Sequence, residues 1–281
     1  MKKIIILITA CLMAFVVASC SNDSERQIHG GDIVKAAVVY SSEDELEYQL
    51  PLITNKKIDN IDEIKINDIE TDGSDDYKLV LVEVTEGAEY NDWFYYYAHI
   101  SLSVQQNNPE SLKIKSFDFE IDGDVFNYTV SKMEFSNFKE AFGKTTKNGV
   151  DILYENGKTF LYQFLPNETV QTVDFEVVND CTFKEFGFTD FVEVEDLSIK
   201  INGIEQDTSK KIKAKAGDTM AVEYVLKYKG DASEKDMITT TEYIKYVDEN
   251  GKESVFCDDA GLVVVNYNND NFIKTYIDTL N

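Results

Sequence analysis

Apolar and polar residues alternate along most of the chain, which is the pattern of β-strands that bury one face. Val, Ile, Tyr, Phe and Thr are enriched in these runs, as in residues 77–84, 93–104 and 112–121. Within the third run the alternation slips by one position near Ser116, which predicts a β-bulge. The pattern therefore predicts an all-β protein.

Turn dipeptides separate the alternating runs. Asp122-Gly123, Asn156-Gly157 and Asn202-Gly203 each lie between two predicted strands, and a loop with Asn250-Gly251 separates another pair. These dipeptides favour tight β-hairpins because both residues tolerate positive φ. No region alternates strands with long helices, so the sequence excludes an α/β fold.

One or two short helices are expected beside the strands. Residues 136–142 fit one or two helical turns, with Ser136 as the N-cap. The C-terminal segment is ambiguous, because its apolar residues fit a helical stripe but are also rich in strand formers. We predict a final strand over residues 272–280.

A short internal repeat suggests how the chain divides. KINDIETD at residues 65–72 and KINGIEQD at residues 200–207 are identical at six of eight positions. Similarity at domain-sized spacing predicts two related modules. We predict tandem β-sandwich modules: an N-terminal module at residues 33–195 and an immunoglobulin-like module at residues 196–281, which lacks the Cys-Trp-Cys signature.

The N-terminus has the features of an export signal. Two lysines precede an apolar stretch at residues 4–17, too short to span a bilayer comfortably. The following Val17-Ala18-Ser19-Cys20 resembles the lipobox of bacterial lipoproteins. The resemblance implies cleavage of residues 1–19 and lipidation of Cys20, which anchors the protein to a membrane.

Residues 20–32 are polar, contain two glycines and are predicted to form a flexible tether. Ser21 follows the lipidated cysteine. By resemblance to enterobacterial lipoproteins, in which an aspartate at this position is associated with retention in the inner membrane, Ser21 favours the outer membrane or cell surface.

The net charge of the chain limits the kinds of partner that it can bind. Its 27 basic and 52 acidic residues give a net charge of −25, which repels nucleic acid and anionic lipid head groups. Arg26, in the predicted tether, is the only arginine. Because arginine is preferred for recognition of phosphate, we expect no nucleic-acid or phosphate site.

Catalytic and metal-binding sets are not evident. His29 lies in the predicted tether and His99 in an aromatic strand, so a histidine-dependent nucleophile is not expected, and no cofactor motif is present. Residues 68–73 and 118–123 resemble the first half of a calcium loop, but Leu79 and Thr129 stand where it needs glutamate. Aspartate-rich loops at residues 72–76 and 258–259 offer other calcium ligands, but we assign no metal site.

Two cysteines remain in the mature chain besides the lipidated Cys20. Cys181 and Cys257 fall in different predicted modules, so we favour two buried thiols over the one possible disulfide. The chain has no CxxC pair or Cys/His cluster, so a zinc site is not expected.

The aromatic run at residues 93–97 is the main candidate for ligand binding. Alternation places Trp93, Tyr95 and Tyr97 on one face of a strand, and Phe94 and Tyr96 on the other. One face must pack into the core, while the other either presents rings to a sugar or partner or is itself covered. The candidate ligand-binding residues are Trp93, Tyr95 and Tyr97.

These features predict a surface-anchored, non-enzymatic lipoprotein that binds a glycan or a protein, or mediates adhesion. One alternative is a structural or accessory subunit of a cell-envelope or pilus-like assembly, joined by strand exchange at an open sheet edge. Another is a hydrolase that uses two carboxylates, although 52 acidic residues make any chosen pair arbitrary.

Overall fold

The computed structural model describes residues 25–40, 46–73, 77–104, 111–143, 145–147, 151–154, 163–164, 170–257, 262–265 and 269–281. Across these ranges the chain forms twenty strands and two α-helices. The first eight strands are β1 (Ile28–His29), β2 (Val34–Tyr40), β3 (Leu46–Thr54), β4 (Lys65–Gly73), β5 (Tyr77–Tyr90), β6 (Trp93–Val104), β7 (Leu112–Ile121) and β8 (Asp124–Asn137). The other twelve are β9 (Thr146–Lys147), β10 (Ile152–Tyr154), β11 (Gln163–Phe164), β12 (Gln171–Val177), β13 (Cys181–Phe188), β14 (Val192–Ile201), β15 (Ile204–Glu205), β16 (Ile212–Ala214), β17 (Thr219–Tyr228), β18 (Met237–Val247), β19 (Glu253–Phe256) and β20 (Leu262–Val265). The helices are α1 (Phe138–Phe142) and α2 (Asp270–Asp278). The predicted all-β class, with tandem β-sandwiches and short helices, is confirmed.

Strands β1 to β8 form what we call the N-terminal module. One of its layers is the antiparallel sheet β1-β3-β6-β5, and the other is the strand series β2-β8-β7-β4. The inward side chains of both layers form a single core that includes Leu50, Ile100, Phe117 and Phe135, all fully buried. Each such side chain contributes about 1.5–3 kcal/mol to folding.

Strands β9 to β20 form what we call the C-terminal module. One layer is the antiparallel sheet β10-β12-β17-β14-β15, and the facing layer contains β16, β13, β18, β19 and β9. A second core lies between these layers and includes Phe175, Val222, Tyr224 and Ile244, all fully buried.

Strand β18 belongs to both modules. Its residues Met237–Thr240 pair in parallel with β2 of the N-terminal module, and its residues from Glu242 to Val247 pair with β13 of the C-terminal module. A single hydrogen-bonded sheet therefore runs through both halves of the chain, and the modules meet at this strand.

The predicted boundary between residues 195 and 196 is wrong. It falls inside β14, which pairs with β17 on both sides of that position. The second core already includes Ile152, so the division between the cores lies between β8 and β10. The short repeat is also not structurally equivalent, because residues 65–72 lie within the single strand β4, whereas residues 200–207 contain the turn between β14 and β15.

The predicted tether is partly ordered into the fold, which corrects its bounds at residues 20–32. Arg26 pairs with Asp122 at 2.6 Å, and β1 pairs with β3. Gly31 is required by close approach rather than flexibility, because a Cβ there would lie 2.1 Å from the carbonyl oxygen of Thr129. Cys20 and the predicted signal at residues 1–19 lie outside the described residues.

Several local predictions were confirmed, but the predicted N-cap of the first helix was wrong. The bulge near Ser116 is present, and Asp122-Gly123 and Asn202-Gly203 turn with positive φ; Asn156-Gly157 lies outside the described residues. Helix α1 forms, but its cap is Asn137, which accepts a hydrogen bond from the Glu140 N–H, rather than Ser136.

The predicted C-terminal strand is wrong, because residues 270–278 form helix α2. Asn269 caps the helix, and its helical spacing brings Phe272, Ile273 and Ile277 onto one buried face. Neither α1 nor α2 has the length and apolarity of a membrane-spanning helix, and the structure has no other α-helix over the residues it describes.

Candidate ligand-binding site

The structure places the aromatic candidates Trp93, Tyr95 and Tyr97 beneath helix α2. All three rings point away from the first core and pack with Ile273 and Ile277 of the helix. Their exposed fractions are 8%, 1% and 6%. The rings therefore do not form an exposed recognition surface. Of the two interpretations that the sequence allowed, core packing is correct.

Polar contacts at both ends of α2 hold the helix over these rings. Tyr97 donates a hydrogen bond to Asp270 at 3.3 Å, and burial together with this aspartate raises the pKa of Tyr97. At the other end, the amide of Asn91 donates to Asp278 at 2.8 Å. The three rings are buried because covering an apolar sheet face lowers the free energy of the folded state, and α2 has the apolar stripe that covers this face.

The two cysteines are buried thiols and no disulfide joins them. Burial, supported by the charge of Asp151, raises the pKa of Cys181 to about 11. A thiol with such a pKa is a poor nucleophile at neutral pH. The structure confirms the prediction of two buried thiols and contradicts the alternative of a disulfide between them.

His99 has a structural environment. Its ring lies within hydrogen-bond distance of Gln49 at 3.2 Å and of Thr85 at 3.1 Å. Within the described ranges no three His, Cys, Asp or Glu side chains converge as metal ligands. Asp72, one calcium candidate, instead pairs with Lys115 at 2.9 Å; residues 74–76 and 258–261 lie outside the described residues.

A cavity of about 330 Å³ lies where the two modules meet, and we call it the junction pocket. It forms because β2 and β18 pair only as far as Ala37 and Thr240; β18 then turns to pair with β13. The diverging strands leave a gap, and β8, α1 and the segment after β13 wall it in.

Threonine side chains replace the missing strand partner at the base of the gap. The backbone N–H of Val39 donates to the hydroxyl of Thr241 at 3.0 Å, and the hydroxyl of Thr189 donates to the carbonyl of Ala37. Thr240 and Thr241 are fully buried. Because these bonds satisfy backbone groups at the split, the base of the junction pocket is fixed rather than collapsible.

Three lysines line the junction pocket. Lys132 pairs with Asp190 at 3.0 Å and lies 4.8 Å from the centre of the Phe191 ring. Lys245 pairs with Glu185 at 3.0 Å. Lys229 is exposed and forms no ion pair with any residue in the described ranges. The first two lysines are therefore held in place by ion pairs, whereas Lys229 forms none with a described residue and acts on Asp190 only through its charge.

Two acidic groups near the lysines are held in their charged form. Burial alone would raise the pKa of Asp190, but hydrogen bonds from Lys132 and from the Phe191 N–H, aided by the charge of Lys229, hold it below the usual value. Burial likewise opposes ionisation of Glu185, but hydrogen bonds from Tyr243 and Lys245 hold its pKa low. The ion pairs of the junction pocket therefore persist at neutral pH.

Aromatic rings form one wall of the junction pocket. The ring of Tyr243 meets that of Phe142 edge to face at 5.1 Å, and its hydroxyl donates to Glu185 at 2.6 Å. The ring lies against Gly187, where a Cβ would approach its hydroxyl to 2.8 Å. The pocket thus combines flat apolar rings with charged groups and hydroxyls, which suits a polar ligand with an apolar face.

The sequence did not identify the junction pocket. Its basic residues come from β8, β18 and the loop after β17, and no local motif joins them. The lysines stand 97 and 16 positions apart, from Lys132 to Lys229 and from Lys229 to Lys245, so only the tertiary fold brings them together.

No protein-family model matches the chain, and no curated protein is significantly similar to it. Solved structures align at low similarity. They include the secreted serine protease VesC from Vibrio cholerae (8% identity, 74% of this chain and 51% of that chain, TM-score 0.23). An endo-fucoidan hydrolase of glycoside hydrolase family 107 aligns at 8% identity over 88% of this chain and 30% of that chain, with a TM-score of 0.24. The major pilin subunit of Bacillus cereus aligns at 11% identity over 86% and 69%, with a TM-score of 0.26. The chain spans about half the length of the first of these proteins and less than a third of the second, and these alignments assign neither family nor function.

Proposed function

We propose that the protein is a lipid-anchored, non-enzymatic binding protein of the bacterial cell surface, and that the junction pocket holds one end of a glycan. The observation that carries the proposal is this walled cavity of about 330 Å³, whose lining combines the rings of Tyr243 and Phe142 with three lysines. Ligand cavities in proteins commonly begin at about 300 Å³ and occur at domain interfaces.

The shape of the junction pocket favours a saccharide over a protein surface. A protein partner needs a broad contact of about 800 Å² on each side, whereas a concave pocket selects a small projecting group. Tyr243 and Phe142 offer apolar ring surface, and Ser136 and Glu134 offer hydrogen-bonding groups. Sugars present the same combination, since each ring has an apolar face and a rim of hydroxyls.

The lipid anchor in this proposal rests on the lipobox-like Val17-Ala18-Ser19-Cys20. A lipid on Cys20 would hold the fold at a membrane surface, and the residues before β1 would separate the fold from the bilayer. Attachment of this kind suits a protein that captures a ligand outside the cell.

A glycan array tests the binding proposal, with the mature chain purified from membranes in detergent. Ala141 is an exposed residue of α1 at the mouth of the junction pocket, so Ala141→Trp blocks the cavity without disturbing a core. Lys139→Trp places the same ring on the same helix but outside the pocket lining, and it is the matched control. We expect the wild type and the control to bind the same glycan and the blocked variant to lose it. Binding that survives Ala141→Trp, or no binding to any glycan, would refute the proposal.

The assembly alternative is less well supported by the sheet edges. Among the described strands, β4 and β5 are each paired on one side only. However, the ladder of β4 with β7 has two register shifts, and so does the ladder of β5 with β6. Bulges of this kind protect edges against the addition of another strand. The binding proposal is therefore retained.

A further inference from the structure

We infer that the junction pocket receives a negatively charged group, a carboxylate or a sulfate, carried by the terminal sugar of an acidic saccharide. This inference rests on the proposed function, because it names the ligand class of the same pocket. It is carried by the placement of three lysine side chains around one cavity in a chain that is strongly acidic elsewhere.

The local charge balance differs sharply from that of the whole chain. Three lysines and two acidic residues line the junction pocket, which leaves a balance of +1, and Glu185 outside the lining brings it to zero. The whole chain has 27 basic and 52 acidic residues, a balance of −25. A uniformly acidic protein repels anions, so an acidic sugar meets less repulsion at a locally neutral cavity with lysines than the charge of the whole chain implies.

Lys229 is the group that would contact the anion. The other two lysines are committed to Asp190 and Glu185, whereas Lys229 has no ion pair with a described residue. Its backbone is fixed, because its N–H donates to the carbonyl of Phe191 at 2.8 Å. Its side chain is therefore anchored at the rim with a charge available for a ligand, and Lys132, held near Asp190, adds a second positive charge beside it.

The ring wall fixes the orientation of the bound sugar. Tyr243 of β18 and Phe142 of α1 meet edge to face, and the ammonium of Lys245 lies 4.9 Å from the centre of the Tyr243 ring. Lys132 and Lys229 belong to other parts of the lining, β8 and the loop after β17. A pyranose stacked on the rings would direct the substituent on its other side toward the lysines. The pocket then distinguishes an acidic sugar from a neutral one by a single charged contact, because ammonium groups bind anions as point charges.

Matched saccharides test the inference by calorimetry. Oligogalacturonate and its methyl ester differ in the carboxylate charge and one methyl group per sugar, and chondroitin sulfate and unsulfated chondroitin differ in sulfate but share their carboxylates. We expect at least one charged form to bind about tenfold more tightly than its counterpart, with affinity falling as NaCl is raised. A preference for oligogalacturonate over its ester identifies the carboxylate as the group bound, and a preference for chondroitin sulfate identifies the sulfate.

Substitution of Lys229 completes the test. We expect Lys229→Ala to weaken binding of the charged form by about tenfold and Lys229→Glu to abolish it. Lys235→Ala is the matched control, because Lys235 is an exposed lysine on the same loop that lies outside the junction pocket. Both positions tolerate change without loss of folding because their side chains are exposed, which an unchanged melting temperature checks.

The failure of this inference is distinguishable from failure of the proposed function. If each charged saccharide and its matched counterpart bind equally well, and Ala141→Trp but not Lys229→Ala weakens this binding, the ligand is not recognised by its acidic group but does bind in the junction pocket. If Ala141→Trp does not weaken saccharide binding, both the acidic ligand and the proposed function are refuted.

Discussion

The side chain of Lys35 offers the sharpest stability test of how the two modules are joined. Lys35 lies on β2 of the N-terminal module, and its ammonium reaches the loop before β18. It donates to the carbonyl of Asp231 at 2.6 Å and lies 3.4 Å from the carboxylates of Asp231 and Asp236. Its side chain is only 5% exposed.

The expected cost of removing this ammonium follows from the burial of its partners. The carboxylate of Asp231 is 80% exposed, so water compensates it and its contribution is small. The carboxylate of Asp236 is 9% exposed, so Lys35→Met leaves a buried charge without its cation. Removing one partner of a buried pair costs about 3–5 kcal/mol, a large share of the 5–15 kcal/mol typical of folded domains.

Urea unfolding measures this loss, with a surface ion pair as control. Lys65 and Glu120 lie 3.3 Å apart with side chains 63% and 31% exposed, so Lys65→Met should cost about 0–1 kcal/mol. The double variant Lys35→Met/Asp236→Asn should cost less than the sum of its single variants, because no buried charge remains. A loss under about 1 kcal/mol for Lys35→Met, or strict additivity in the double variant, would mean that the ammonium of Lys35 does not stabilise the buried carboxylate of Asp236.

Three further predictions concern the C-terminal helix, the N-terminal strand and the anchor. Ile277→Ala should lower the free energy of unfolding by about 2–5 kcal/mol, since Ile277 is fully buried, and should shift the emission of Trp93 to the red; unchanged emission would mean that α2 does not cover this ring. Burial, partly offset by the charge of Asp32, lowers the pKa of His29, so the folded state resists its protonation. The contribution of neutral His29 to the free energy of unfolding should be complete above about pH 6.5 and fall as the pH drops through the folded pKa. His29→Gln should remove that part of the pH dependence, which urea unfolding at several pH values measures. An unaltered pH profile in the variant would contradict this prediction. Cys20→Ser should move the protein from the membrane fraction to the soluble fraction, and mass spectrometry of the wild type should find a lipid on Cys20; an unmodified, uncleaved N-terminus would refute the anchor.

Strands were predictable because their signal is local. Alternation in residues 112–121 reports which side chains face the core, and the slip near Ser116 marks the observed bulge. Asp122-Gly123 turns the chain because both residues adopt positive φ. Each of these features depends on neighbours only a few positions away.

The module boundary and the junction pocket were not predictable in the same way. The parallel pairing of β2 with β18 joins residues about 200 positions apart, and alternation carries no signal for such a partner. The C-terminal helix was missed because the strand-forming side chains of Phe272, Ile273 and Ile277 gain more from covering the aromatic face of β6 than their local preference costs. Tertiary packing decided both outcomes.

A crystal structure of the protein with the first saccharide that it binds would show whether the junction pocket is the binding site. We expect density for a sugar ring in the cavity between β2, β8 and Tyr243, with its anionic substituent beside Lys229. A saccharide bound elsewhere, with the junction pocket holding only water, would refute the proposed function.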